Sequence, residues 1–195
     1  MTTVAARNSF FETGLIILAD RGFGGLKLAE VCNRLGVTTG SFYHYFTNWG
    51  AYTRGLIGYW KQDRTDRLAE LFGRQSDPRK RMQLIIQSVL ALPHSAEAAI
   101  RAWSSIDPAV HAVQVEVDRQ RYQVCYDYAL EIAGDPRQAE VFADFAVYVL
   151  VGYEQATLER DPATYAWISQ QLVDLLEAGG FAGVPPKRGG STIQP

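Results

Sequence analysis

The sequence lacks the features that mark membrane, secreted and disulfide-linked proteins. Only two of its 195 residues are cysteine, Cys32 and Cys125, and they are too far apart to form a CxxC pair. No apolar run reaches the roughly 18 residues that a membrane-spanning helix needs. The N-terminus leads into a helical pattern and has no short apolar signal region. We therefore expect a cytoplasmic protein that does not enter a membrane, with both cysteines buried as small hydrophobic residues.

Patterns for a metal site or for catalysis are also missing. The three histidines, His44, His94 and His111, show neither HxxxH spacing nor a cluster with cysteine, so we expect no metal. Ser95 follows His94 but does not lie in the strand-turn-helix context that a hydrolase serine requires. The sequence therefore predicts no cofactor and no enzymatic activity.

Strand-like alternation is absent, and almost every segment has helical periodicity, which predicts an all-α fold. Four Asp-Pro pairs, beginning at residues 77, 107, 135 and 161, predict helix starts, because aspartate caps a helix and proline fits its first turn. Thr38 and Asn48 are expected to cap two further helices, and Gly36 is expected to end another. About nine helices are predicted, near residues 4–21, 28–35, 39–46, 49–72, 79–92, 96–106, 108–133, 136–156 and 163–178.

The predicted organisation is a three-helix N-terminal domain, a larger helical C-terminal domain and a tail. We place these at residues 1–48, 49–178 and 179–195, and we expect the tail to be flexible because of its glycine and proline pairs. Residues 1–62 hold six Lys or Arg against three Asp or Glu, whereas the whole chain has a net charge of −2. A basic N-terminal part suits a polyanion such as DNA, although a split of this size also arises often by chance.

Residues 27–46 have the pattern of a helix-turn-helix. Apolar residues recur at i, i+3, i+4 and i+7 in the first helix, Gly36 permits a sharp turn, and Val37 fills the gap between the helices. The second helix has an apolar edge formed by Phe42 and Phe46. Such a second helix can enter a major groove about 12 Å wide. The alternative interpretation is that residues 27–46 form an ordinary corner between two helices, which any all-α protein can contain. The recurring apolar residues of the first helix are Leu28, Val31, Cys32 and Leu35.

The run from Gly36 to Phe46, GVTTGSFYHYF, resembles the pattern Gly-Val-Ser-x-Gly-Thr/Ser-Leu/Phe-Tyr-x-x-Phe of the tetracycline-repressor (TetR) family. The upstream run LADRGF, from Leu18 to Phe23, is similar to the end of the first helix in that family. The resemblance covers about residues 8–60. The later helices match the family only in number and length.

The resemblance implies a set of DNA contacts. Thr38 would cap the recognition helix, whose first turn would face bases or adjacent phosphates. Tyr43 would donate a hydrogen bond to a phosphate, with His44 beside it on the same face. Lys27 lies where the family usually has a phosphate-contacting Ser or Thr. The expected contacts are Lys27, Thr38, Thr39, Gly40, Ser41, Tyr43 and His44.

Three positions depart from the family pattern. Ala29 replaces an Arg that can recognise guanine, Trp49 replaces a phosphate-binding Lys, and Gly50 replaces a Glu or Asp. Losing those cations predicts weaker nonspecific DNA binding, since each phosphate contact contributes about 0.9 to the salt slope. Arg7 and Arg54 could compensate.

The resemblance also implies a homodimer and a cavity for a small molecule. The last two long helices would form the dimer interface, although their apolar residues could equally belong to the core of one chain. The expected interface residues are Phe142, Phe145, Val149, Tyr153, Trp167 and Leu172.

Aromatic residues of the central helices would line the cavity and favour an apolar or aromatic effector, unless they are plain core residues. They are Trp60, Trp103, Tyr122, Tyr126 and Tyr148.

The function expected from these features is sequence-specific regulation of transcription, with repression as the usual sign in the family. A small-molecule effector would release the dimer from a palindromic double-stranded operator. Two rivals are a binding or interaction protein that has kept this fold without operator binding, and a small all-α enzyme.

Overall fold

The structure, a computed structural model, describes residues 3–187, including the side chains of residues 6–63 and 75–187. This part of the chain forms nine α-helices and no strand, which confirms the all-α prediction. The helices are α1 (Thr3–Gly25), α2 (Leu28–Leu35), α3 (Thr39–Tyr45), α4 (Trp49–Arg74), α5 (Pro78–Leu90), α6 (His94–Ser104), α7 (Pro108–Ala133), α8 (Pro136–Gln155) and α9 (Pro162–Glu177).

The four Asp-Pro pairs start helices as predicted. In each pair a carboxylate oxygen of the aspartate accepts a hydrogen bond from a backbone N–H of the first turn, at 2.8–2.9 Å. These contacts satisfy N–H groups that have no partner within the helix. The capping aspartates are Asp77, Asp107, Asp135 and Asp161.

Helix α1 extends farther than expected because the chain becomes helical again after a kink at Gly22. Gly22 has a φ of 64° and a ψ of −173°, a conformation that favours glycine, and the chain is helical again as far as Gly25. This kink turns Phe23 inward, where its ring stacks on Trp103 at 4.5 Å. Phe23 is partly buried and packs against the core of the first unit.

The chain divides into two compact units. The first comprises Met1–Arg74 and Ala91–Asp118, and the second comprises Gln75–Leu90 and Arg119–Pro195. The first unit thus contains α1 to α4, α6 and the start of α7. The predicted boundaries at residues 48 and 178 stay predictions, since they divide the chain by function and not by packing.

In the first unit, α1 packs against α2, α4 and α6. The Tyr52 hydroxyl is fully buried and donates a hydrogen bond to the Phe10 carbonyl oxygen at 2.9 Å. Gly14 makes this approach possible, because a Cβ at that position would overlap the Tyr52 hydroxyl and lie 3.0 Å from a methyl group of Leu56. Helices α1 and α4 are therefore held at close range.

In the second unit, α9 packs against α5 and α8. Phe142 is 1% exposed, and its ring contacts those of Tyr128 and Phe181, with 5.8 and 5.9 Å between the ring centres. Phe181 belongs to the segment after α9, which forms turns and whose Pro185 carbonyl accepts a hydrogen bond from Arg137. Residues 188–195 lie outside the described residues, and the flexibility of the tail stays a prediction.

Both cysteines are free thiols. Cys32 is buried as predicted, whereas Cys125 is only partly buried by solvent accessibility. Desolvation nevertheless raises the pKa of Cys125 to about 12, so it is a protonated thiol at neutral pH. No helix among the described residues is long and apolar enough to cross a membrane.

Candidate nucleic-acid interface

The turn between α2 and α3 depends on one left-handed residue. Gly36, which ends α2, has a φ of 65° and a ψ of 33°. Its N–H donates to the Asn33 carbonyl at 3.2 Å, and the N–H of Val37 donates to the Cys32 carbonyl at 3.0 Å. These bonds satisfy the last carbonyls of α2 and direct the chain into α3. Val37 packs against the core, as predicted.

Thr38 caps α3, as predicted. Its backbone is extended, and its Oγ1 accepts a hydrogen bond from the Ser41 N–H at 3.2 Å. The same oxygen lies 3.1 Å from the Ser41 hydroxyl. The two side chains hold the first turn of α3 in shape, so part of their role is structural.

An aromatic cluster fixes the inner side of α3. Phe42 and Phe46 are 0% and 2% exposed, and both contact the ring of Phe10. Trp49 belongs to this cluster, since its ring lies 4.8 Å from Tyr52 and 6.0 Å from Phe42. The helix is therefore anchored on one side only, and its other side is left to solvent.

The outer surface of the helix-turn-helix carries the residues expected to contact DNA. Tyr43 is 54% exposed, and its ring lies perpendicular to that of Phe42, with 5.4 Å between the ring centres. His44 is also exposed and contacts Tyr45. Ser41 is partly buried, whereas the other six expected contacts are exposed: Lys27, Thr38, Thr39, Gly40, Tyr43 and His44. Their contacts with DNA stay predictions.

Acidic side chains neutralise part of the positive charge in the first unit. Arg34 pairs with Asp20 at 2.6 Å and with Glu30 at 2.8 Å, and Arg21 pairs with Glu30 at 3.4 Å. Hydrogen bonds to Asp20 and Glu30 raise the pKa of Arg34. Within the described residues, three exposed cations of this unit form no ion pair: Arg7, Lys27 and Arg54.

Arg7 is held in place by aromatic rings. Its guanidinium carbon lies 5.4 Å from the ring centres of both Phe11 and Phe46. This cation–π contact orients the side chain without using its charge in an ion pair. Arg7 therefore brings a positive charge close to the end of α3.

Two of the expected effector residues lie in the core of the first unit. Trp60 is 0% exposed, and its indole N–H donates to a Glu97 carboxylate oxygen at 2.8 Å. Trp103 is 2% exposed and stacks on Phe23. Sequence reasoning missed Glu97, although an acidic residue among the apolar positions of α6 was an available signal.

The other three expected effector residues lie in the second unit. Tyr122 and Tyr126 are partly buried, with their rings stacked 6.2 Å apart. Burial raises the pKa of Tyr122, and the carboxylates of Asp144 and Glu140 add to this effect. Tyr148 is 68% exposed on α8 and lies on an open face.

The expected dimer residues separate into inner and outer positions. Phe142 and Leu172 are 1% and 7% exposed and belong to the core of the second unit. Phe145 and Trp167 are 46% and 64% exposed, whereas Val149 and Tyr153 are partly buried. Three further apolar side chains on α8 and α9 are exposed: Tyr148, Ile168 and Leu175.

A partly open cavity of about 510 Å³ lies between the end of α8 and the start of α9. Val149 and Tyr153 line it from α8, and Tyr165 and Ile168 line it from α9. The Tyr153 and Tyr165 rings are 4.5 Å apart. None of the five expected effector residues lines this cavity. Sequence reasoning missed it because its wall includes the loop between the helices, whose path depends on tertiary packing.

Comparison with known proteins identifies the N-terminal domain and the fold. Residues 10–48 match the family described as bacterial regulatory proteins, tetR family. The match includes most of α1 and all of α2 and α3. A comparison with curated proteins finds no match.

Solved regulators share the fold along most of the chain. A transcriptional regulator from Pseudomonas aeruginosa is 18% identical, with a TM-score of 0.73 and coverage of 93% of this chain and 95% of that one. A TetR-family regulator from Agrobacterium tumefaciens is 15% identical, with a TM-score of 0.76 and coverage of 89% of this chain and 98% of that one.

A regulator from Saccharomonospora viridis, solved in complex with choline, is 16% identical, with a TM-score of 0.74 and coverage of 90% and 97%. At such identities these likenesses show the fold alone, whereas the sequence match of residues 10–48 identifies the domain itself. At residues 10–48 the chain thus carries the N-terminal domain of the tetR family of bacterial regulatory proteins.

Proposed function

We propose that this regulator is a homodimeric repressor that binds a palindromic operator and is released by a small-molecule effector. The observation that carries the proposal is the one-sided anchoring of α3. Its apolar side is buried against an aromatic cluster, while Thr39, Gly40 and Tyr43 are exposed on the other. A short helix held in this way can enter the major groove without exposing its core.

The proposed DNA contacts divide into two kinds. Thr39 and Ser41, in the first turn of α3, are suited to base edges or adjacent phosphates, and Gly40 permits a close approach of the backbone. Tyr43 and Lys27 are suited to phosphates, which position the protein without selecting a sequence. His44 adds a donor beside Tyr43.

The proposed dimer uses the outer apolar residues of α8 and α9. Five large apolar side chains on these two helices are exposed, which is unusual for a protein that acts as a monomer. We assign the interface to them together with Val149 and Tyr153, and we leave Phe142 and Leu172 in the core beneath. The five exposed apolar side chains are Phe145, Tyr148, Trp167, Ile168 and Leu175. A twofold dimer would present two heads to half-sites roughly 34–36 Å apart.

The proposed effector has an apolar or aromatic body. The choline complex of the regulator from Saccharomonospora viridis makes a cationic group a reasonable first probe. We propose that binding shifts α4 and thereby changes the spacing of the two heads. A coupling free energy of about 1–3 kcal/mol between effector binding and operator binding would be sufficient for regulation, since it changes the operator affinity roughly 5–150-fold.

Selection of bound genomic fragments at low salt, followed by footprinting, tests the DNA-binding part of the proposal. We expect enrichment of a palindrome and protection of two half-sites one helical turn apart. If no palindrome is enriched, the rival interpretation as a binding protein without an operator replaces the regulator.

Effector chemistry can be tested with three probes that share one ring: benzylammonium, benzyl alcohol and benzoate. We expect benzylammonium to raise the melting temperature most and to release the operator. A preference for benzoate would contradict the proposal of a cationic effector.

A further inference from the structure

The side chain of Arg54 folds back along α4 toward the start of that helix. Long side chains on a helix lean toward its N-terminus, and residues four apart lie on the same face. Arg54 is exposed, and a Cβ built at Gly50 would lie 3.3 Å from Arg54 Nη1 and 3.3 Å from Asn48 Oδ1. The guanidinium therefore lies over the first turn of α4, directly above Gly50.

No acidic side chain of the described residues holds the guanidinium there. The first turn of α4 contains no Asp or Glu. Glu30 and Asp20, which neutralise Arg21 and Arg34, form no ion pair with Arg54 in the described part of the chain. The donors of Arg54 thus remain available to an external anion.

This charge lies close to the end of the recognition helix. Phe46 ends α3, and Asn48, two residues later, caps α4 by accepting the Ala51 N–H at 2.8 Å. Thr47 and Asn48, in the turn that joins the two helices, are both exposed. When α3 occupies the major groove, a turn at its end lies near the phosphates that border the groove.

We propose that Arg54 binds a DNA phosphate in each protomer and that Gly50 provides the space its guanidinium needs. The proposal rests on the operator binding proposed above. Gly50 is the second residue of α4, and its lack of a side chain leaves room for Arg54 Nη1. A longer side chain would crowd the guanidinium, and a carboxylate there would neutralise it.

The test measures operator affinity of the full-length protein at several salt concentrations. Arg54→Gln should weaken binding by about tenfold on every sequence. It should also lower the salt slope by about 0.9 per protomer, because one phosphate contact is lost. Arg54→Lys, which keeps the charge, should retain most of the slope. Arg119→Gln makes the same charge change on an exposed residue of the second unit and should leave the slope unchanged.

A double-mutant cycle tests the role of Gly50. Gly50→Glu should weaken operator binding, and it should do so less in the Arg54→Gln protein than in the wild type, because only the wild type loses the arginine contact as well. Gly50→Ala is the matched control, since its small Cβ can be accommodated by the flexible end of Arg54, and it should bind like the wild type.

The two levels of the proposal can fail separately. If the wild-type protein binds its palindrome and Arg54→Gln keeps the wild-type affinity and slope, Arg54 is not a phosphate contact, although the regulator proposal stands. Equal losses from Gly50→Glu in both backgrounds would remove the link between Gly50 and Arg54. If the wild type enriches no palindrome, both proposals fail.

Discussion

At the scale of single residues, neighbouring side chains of the recognition helix have different roles. Thr38 and Thr39 are both exposed threonines, yet only the Thr38 oxygen accepts a backbone hydrogen bond within the described residues. Thr39 has its hydroxyl available to DNA. Residue type and exposure alone do not separate them, whereas their positions relative to the start of α3 do.

Thr38→Ala is therefore expected to destabilise the protein by about 1 kcal/mol, because the N–H of Ser41 loses its acceptor. Thr39→Ala is the matched control and should leave the free energy of unfolding within about 0.5 kcal/mol of the wild type. Urea denaturation of both variants measures the difference. If the two variants are equally stable, the Thr38 cap contributes nothing to folding.

Thr39→Ala should instead change the preferred bases. A lost base contact is expected to reduce discrimination at particular operator positions by about 1–3 kcal/mol. Binding to a set of operators with single substitutions measures this. Equal losses on all sequences would assign Thr39 to a phosphate.

Tyr43→Phe should weaken binding broadly across sequences, since the variant keeps the ring that packs on Phe42 and loses only the hydroxyl. Tyr45→Phe removes a hydroxyl from a less exposed ring of the same helix and serves as the control. Affinities for the operator and for random DNA would be compared. A Tyr43→Phe protein with wild-type affinity for both would exclude the phosphate contact.

At the scale of secondary-structure elements, close contact between α1 and α4 supports the DNA-reading helix. The aromatic cluster beneath α3 includes Phe10 from α1 and Tyr52 from α4, and the Tyr52 hydroxyl is bonded to the Phe10 carbonyl. Burial raises the pKa of Tyr52, so this donor keeps its proton throughout the neutral range. The position of α3 thus depends on its packing against α1 and α4.

Gly14→Ala is expected to destabilise the protein by about 1–3 kcal/mol, because its Cβ would overlap the Tyr52 hydroxyl. Gly58→Ala, on an exposed position of α4 with no atom within 4 Å of the added Cβ, should be neutral or stabilise by up to about 1 kcal/mol. Thermal and urea unfolding measure both changes. A Gly14→Ala protein that is as stable as wild type would show that the α1–α4 contact can relax without loss.

Most helix boundaries were predicted from local signals. The Asp-Pro pairs, Thr38, Gly36 and Asn48 act within four residues of their own position, so the sequence around them is sufficient. The start of α6 was placed two residues late, at Ala96 instead of His94, because Pro93 is a weak start signal without a side-chain cap.

At the scale of the whole molecule, the exposed apolar residues of α8 and α9 form the proposed dimer interface. Phe145→Glu should convert the proposed dimer to monomers in sedimentation experiments, because it places a charge in an apolar interface. Ile16→Glu, a matched change at an exposed position of α1, should leave the oligomeric state unchanged. A Phe145→Glu protein that remains dimeric would place the interface elsewhere.

The sequence by itself determined the helical fold, the caps and the recognition helix, because these depend on periodicity and on contacts between residues close in the chain. The resemblance of residues 36–46 identified the family, and the match of residues 10–48 confirmed it.

Only the tertiary structure decided which of several similar residues are buried. Phe142 and Phe145 are three residues apart on one helix, yet Phe142 lies in the core and Phe145 is 46% exposed. Trp60 is paired with Glu97, 37 positions away in the chain. The Gly50–Arg54 arrangement is local, but its significance depends on the absence of an acidic partner from the rest of the described chain. Burial and charge pairing depend on which distant segments meet, and the pattern of one segment does not contain that information.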